Sequence, residues 1–94
     1  MEEACWHVEA VKDFMPGVPV CASLCINDDT DVDGVPTGEC GVKLAQAGAD
    51  VIGINCNFDP FRCIKAVKKM IKYVKAAGFD KVCKFEFYNQ YYFF

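Results

Sequence analysis

The chemistry available to this 94-residue chain is concentrated where two apolar runs stop. Cys56 closes Val51-Ile52-Gly53-Ile54-Asn55 and precedes Asn57-Phe58-Asp59-Pro60, while Cys25 closes Val18-Pro19-Val20-Cys21-Ala22-Ser23-Leu24. A thiolate is both a nucleophile and a soft metal ligand. Two thiolates can begin a zinc site, but zinc takes four ligands, three of them protein when the site is catalytic. Cys56 therefore has two readings: a metal ligand, or a buried thiol packing as a small hydrophobe. Asn55 either hydrogen-bonds a ligand at the strand end or satisfies loop backbone. Ser23 can face a ligand near the end of its own strand. Gly53, inside a strand, marks close approach of backbone or ligand.

Other motifs are weaker. Asp29-x-Asp31-x-Asp33-Gly34 resembles the opening of a calcium loop, but the twelfth position is Cys40 where a bidentate Glu is required. The stretch 27–36 reads as a solvated acidic loop. His7 has no second histidine to pair with and reads as a helix-surface residue. Seven cysteines is an odd count. Met1-Glu2-Glu3-Ala4-Cys5-Trp6 has no apolar signal region, and no apolar run approaches the ~18–20 residues that span a bilayer. The expectation is a cytoplasmic chain with free thiols, not a membrane protein.

The elements that position these residues follow from periodicity. Residues 3–14 read as a helix with Ala4, Val8, Val11 and Phe14 on one side, stopped by Pro16-Gly17. Residues 18–24 read as a strand buried on both faces, finished by Cys25 and Ile26. Thr37 is the expected N-cap of a helix over 38–47, with Cys40, Leu44 and Ala47 inward and Gly48 as its left-handed stop. A second strand spans 50–55. Asp59-Pro60 opens a long helix ending at 76 or 77, with the stripe Ile64, Val67, Ile71 and Val74. A third strand covers 81–87.

Alternating helices and strands with short crossovers demand a parallel sheet. In such sheets ligands gather at the C-terminal strand ends, where Cys25, Cys56 and the long loop fall. Residues 1–59 hold eleven acids against Lys12 and Lys43; residues 60–94 hold eight bases against Asp80 and Glu86. The bases lie mainly on the outer face of one helix, without interleaved aromatics, which argues against a nucleic-acid partner.

Taken together, Glu2-Glu3-Ala4, Gly34-Val35-Pro36-x-Gly38-Glu39-Cys40 and Ala47-Gly48-Ala49-x-x-Ile52-Gly53-Ile54-Asn55-Cys56-x-Phe58-Asp59-Pro60 resemble the betaine–homocysteine S-methyltransferases, within the wider homocysteine S-methyltransferase family, over about residues 2–77. The resemblance implies α/β architecture, here part of a (β/α)8 TIM barrel: about three parallel strands with flanking helices, the barrel not closed. It implies a zinc ion that binds the homocysteine thiol and lowers its pKa, so that the thiolate takes a methyl group from betaine and yields methionine and dimethylglycine. Cys56 matches the first zinc cysteine. Ser23 matches a hydroxyl position near the homocysteine pocket, and Asn55 is carried as a second substrate-binding residue. Cys25 matches a family cysteine that is not a ligand.

The family's other zinc ligands are adjacent cysteines in a GGCCG segment; this chain has no Cys-Cys pair. An acidic substrate-binding residue would precede Met1, and the family's oligomerisation arm is missing. The expectation is an interior slice: residues 1–80 a partial homocysteine-binding domain, and 81–94 a divergent aromatic tail. No residue is assigned a catalytic role, and the slice alone is expected to be inactive. The alternative is a non-catalytic interaction or regulatory fragment that associates with a full-length homologue through exposed sheet edges.

Overall fold

In a computed structural model, two helices pack on an open four-stranded sheet and a third lies against one of them. The structure describes residues 1–26, 30–31, 33–55, 60–87 and 90–93, with no side chain described at 60, 85–87, 90 or 91. The order is α1 (Glu2–Phe14), β1 (Cys21–Cys25), α2 (Thr37–Ala47), β2 (Val51–Asn55), α3 (Pro60–Ala76), β3 (Val82–Phe87) and β4 (Gln90–Phe93). The sheet order is β1-β2-β3-β4. β1, β2 and β3 are parallel, and β4 returns antiparallel to β3. Consecutive parallel neighbours joined by helices are the arrangement expected from the alternating pattern. β4 was not anticipated: Tyr91, Tyr92 and Phe93 have strand-forming side chains, but they carry no polar alternation by which to read a strand.

The core lies between α2, α3 and the sheet. Leu44, Ile52, Ile54, Val67 and Met70 are completely removed from water, joined by Val74, Cys63 and Cys83. The buried stripe of α3 is Cys63, Val67, Met70 and Val74, with Ile64 and Ile71 half-buried at its flank. This centres one residue earlier than the spacing of Ile64, Val67, Ile71 and Val74 predicts. The reason is that α3 packs on α2 as well as on the sheet. Its deepest residues are those that lie between both neighbours. Lys65, Lys68, Lys69, Lys72 and Lys75 are exposed on the other side.

Three further expectations are corrected. β1 begins at Cys21, and its residues run exposed, half-buried, half-buried, half-buried, exposed. It lies at the end of the sheet with helices on one side, so it is not buried on both faces. Phe14 is 88% exposed, because α1 packs chiefly on α2 and buries only Val8 fully. Thr37 is the first residue of α2, not its cap. Pro36 holds the N-cap position in extended conformation, its carbonyl accepting from the Cys40 amide at 2.9 Å.

The acidic loop is also less solvated than its composition suggests. Asp31 is 5% exposed. Its Oδ1 accepts from the Asp33 and Val35 amides, both at 2.9 Å, and the Met1 amino group lies 3.8 Å from Oδ2. Those donors offset the cost of burying a carboxylate. The oxygen that a calcium-loop reading would offer to a cation is used to fold the turn. Asp28 and Asp29 lie outside the described residues.

At the N-terminal end of the strands Asp50 joins three segments. Its Oδ2 accepts from the Val20 amide at 2.8 Å and from Lys12 Nζ of α1 at 2.5 Å. The Lys12 ammonium and the Val20 amide hold the Asp50 carboxyl below its ordinary value of 3.8. A carboxyl with a lowered folded pKa stabilises the fold above its unfolded value and loses that contribution as pH falls through the folded one. Asp50→Asn is therefore expected to lower the melting temperature by a few degrees at neutral pH. The gap should narrow below pH 3.8, as followed by circular dichroism.

Candidate functional site

Strand alternation sorts β2 into two faces. Ile52 and Ile54 are fully buried in the core with the helices, so Val51, Gly53 and Asn55 lie on the helix-free face. The parallel register aligns Ser23, Gly53 and Lys84 across three strands, and one step further aligns Cys25, Asn55 and Glu86. The second row is at the C-terminal ends of the strands. Ser23 and Asn55 therefore share a face and are adjacent in level. Asn55 is exposed at the rim, and Ser23 is one row deeper.

Gly53 is the floor between its neighbours. A Cβ built there would lie 2.5 Å from Ser23 Oγ, 2.8 Å from Lys84 Cγ and 2.9 Å from Lys84 Cε. The close approach expected at this glycine is thus made by two side chains of the adjoining strands. Ser23 Oγ is buried and has no hydrogen-bond partner among the described residues. Lys84 had not been singled out. The signal was in the sequence: in Val82-Cys83-Lys84-Phe85-Glu86-Phe87 the charges alternate with apolar residues, which puts Lys84 and Glu86 on one face.

Cys56 lies outside the described residues, as do Asn57, Phe58 and Asp59. Cys25 is exposed at the end of β1, opposite Asn55. Among the described residues no group of three or more His, Cys, Asp or Glu is placed to hold a metal ion. A catalytic zinc asks for three protein ligands, so this donor set does not make a complete zinc site.

Three other cysteines, Cys40, Cys83 and Cys5, have structural roles. The Cys40 thiol is pushed up to about 11 by burial and by the Asp31 carboxylate; it donates to the Val35 carbonyl at 3.4 Å, tying α2 to the Asp31 turn. Burial also raises the Cys83 thiol, and that of Cys5, which donates to the Lys43 carbonyl at 3.6 Å. Protonated, inward-facing thiols of this kind are poor nucleophiles. All six described cysteines are free thiols. Among the described residues no helix is long and apolar enough to cross a membrane.

The sequence was compared with known proteins. The sequence pattern of one family, homocysteine S-methyltransferase, matches residues 1–90. Betaine--homocysteine S-methyltransferase 1 of Danio rerio is 50% identical over 78 residues, which are 83% of this chain and 19% of that protein. The protein of the same name from Xenopus laevis is 51% identical over 77 residues (82% and 19%), and that from Mus musculus 48% over 77 (82% and 18%). The chain thus spans about a fifth of the length of these relatives. The family pattern runs through all three parallel strands and the helices between them, and this chain belongs to the homocysteine S-methyltransferase family.

Proposed function

We propose that these 94 residues are one portion of a zinc-dependent methyltransferase of the betaine–homocysteine type, and that they contribute part of its substrate face without being active alone. The observation that carries this reading is the 50% identity over 78 residues to a relative named for that reaction. The reaction proposed for the whole protein is methyl transfer from betaine to homocysteine, giving methionine and dimethylglycine. Cys56 is the residue of this chain that would hold zinc, as one ligand of three. The other two must come from outside these residues, since no adjacent cysteine pair is present. We assign Ser23 and Asn55 to substrate binding, in keeping with their shared face at the strand ends. Six free thiols fit a reducing, cytoplasmic setting. The sheet would be part of a (β/α)8 barrel, residues 1–80 forming part of the homocysteine-binding domain and 81–94 a tail that supplies β3 and β4.

The first test is direct. The purified chain, given zinc, homocysteine and betaine, is expected to form no methionine above a protein-free control. A rate above that control would overturn the proposed inactivity. Association with a full-length homologue is a secondary reading, favoured by the open sheet with β1 and β4 at its ends. Analytical ultracentrifugation of the chain with the Danio rerio relative distinguishes it by whether a mixed species forms.

A further inference from the structure

We propose that copies of this chain associate head to tail, the acidic outer face of α1 on one copy docking on the lysine face of α3 on the next. Glu2, Trp6, Glu9 and Asp13 follow one another at steps of four, three and four residues along α1, and Lys65, Lys68, Lys72 and Lys75 at steps of three, four and three along α3. Each is the spacing of one stripe that can lie along a neighbouring helix. All of these residues are exposed. Among the described residues the ion pairs join Met1 to Asp31 and Asp33, Lys12 to Asp50 and Lys43 to Glu39, so neither stripe is paired within one copy.

Each stripe is unfavourable by itself. α3 contains no acid, so the charged neighbours of its lysines three and four residues away are other cations, and Glu9 and Asp13 repel in the same way on α1. Trp6 stays 60% exposed among those acids, and its ring offers a π face to a lysine ammonium. One copy cannot make this match within itself, because α2 lies between the two helices. Lys43 and Gly48 of α2 meet Cys5 and Lys12 of α1, whereas Gly38 and Gly41 face Tyr73, Met70 and Val74 of α3. The acidic and basic stripes therefore belong to opposite flanks of the helix layer. A contact between two different faces adds copy to copy, with no twofold axis to close it. A second copy is the partner that fits both stripes at once. An anionic lipid surface would engage the lysines and leave the acids and Trp6 without a role.

The test is sedimentation velocity of the chain over rising concentration, at low and at high salt. The expected result is a weight-average sedimentation coefficient that climbs with concentration at low salt and falls back at high salt, as exposed charges are screened. Glu9→Lys with Asp13→Lys, and separately Lys68→Glu with Lys72→Glu, should each weaken association about 100-fold or more, because like charges then face each other. Mixing the two variants should restore it, since the reversed α1 of one meets the reversed α3 of the other. Trp6→Ala keeps every charge and should weaken association about tenfold. Circular dichroism reports that each variant is folded. A chain that stays monomeric at every concentration overturns the proposal, whether or not it pellets with phosphatidylserine vesicles. Association that survives the charge reversals, which would assign it to the sheet edges, also overturns it, as does a mixture of the two variants that remains monomeric.

Discussion

Replacing Cys56 by serine is expected to abolish zinc binding and methyl transfer together, in a chimera where this chain's matching 78 residues replace those of the Danio rerio relative. The chimera supplies the ligands absent from the 94 residues and tests Cys56 in a complete protein. Serine keeps the size of the side chain and removes the soft thiolate donor that zinc prefers. Loss of a partner that only orients a ligand costs about 10–100-fold in metal affinity or activity, so loss of a ligand should exceed about 100-fold. Zinc per protein, by elemental analysis, should fall from one towards zero while the circular dichroism spectrum is kept. Cys25→Ser, at the end of the neighbouring strand opposite Asn55, is expected to leave zinc content unchanged. Equal loss in both variants would mean that the two thiols act as a pair, contrary to the family assignment.

The largest effect on folding is expected at Gly41. A Cβ there would lie 2.5 Å from Met70 Cγ and 2.9 Å from Val74 Cγ2. Met70 is 0% and Val74 1% exposed, so neither has free space to move into. Overpacking of a core typically costs about 1–3 kcal/mol, against a gain of about 1 kcal/mol when alanine replaces glycine within a helix. Gly41→Val adds a Cβ and two methyl groups and sacrifices most of that gain, because β-branching is unfavourable in a helix. A loss of about 3 kcal/mol is expected, which lowers the melting temperature of a domain this size by about 12–24 °C.

Gly38 provides the contrast. A Cβ at Gly38 would meet the Tyr73 ring closer still, within 2.8 Å of three ring atoms. Tyr73 is 46% exposed and can swing towards solvent. Gly38→Ala should therefore cost less than Gly41→Ala despite the tighter overlap. The reverse order in thermal melts would mean that α2 and α3 separate as a unit and do not yield side chain by side chain.

Much of the sheet could be read from the residues because its signals are local. Gly48 and Gly78 end α2 and α3 with left-handed backbone, as their positions after each apolar stripe suggest. Val51–Ile54 is apolar, and Ile52, Gly53 and Ile54 are buried in a strand with neighbours on both sides. What could not be read depends on partners distant in sequence. The Asp31 turn looks like a solvated acidic stretch until its backbone donors are known. The α3 stripe moves by one residue because Gly38 and Gly41 admit Met70, Tyr73 and Val74, a contact between helices that periodicity within α3 does not contain. Phe14 is apolar by type but lies beyond the reach of α2. At the candidate site, Ser23 and Asn55 were legible as strand-end polar residues. Lys84 was not, because its meaning comes from Gly53 on the next strand.

The most direct measurement is methionine formation by the parent chimera, supplied with homocysteine, betaine and zinc. These residues are predicted to support turnover, with methionine and dimethylglycine appearing in equal amounts. A folded chimera that holds zinc yet forms no methionine would contradict the assignment of this chain's strand-end face to methyl transfer.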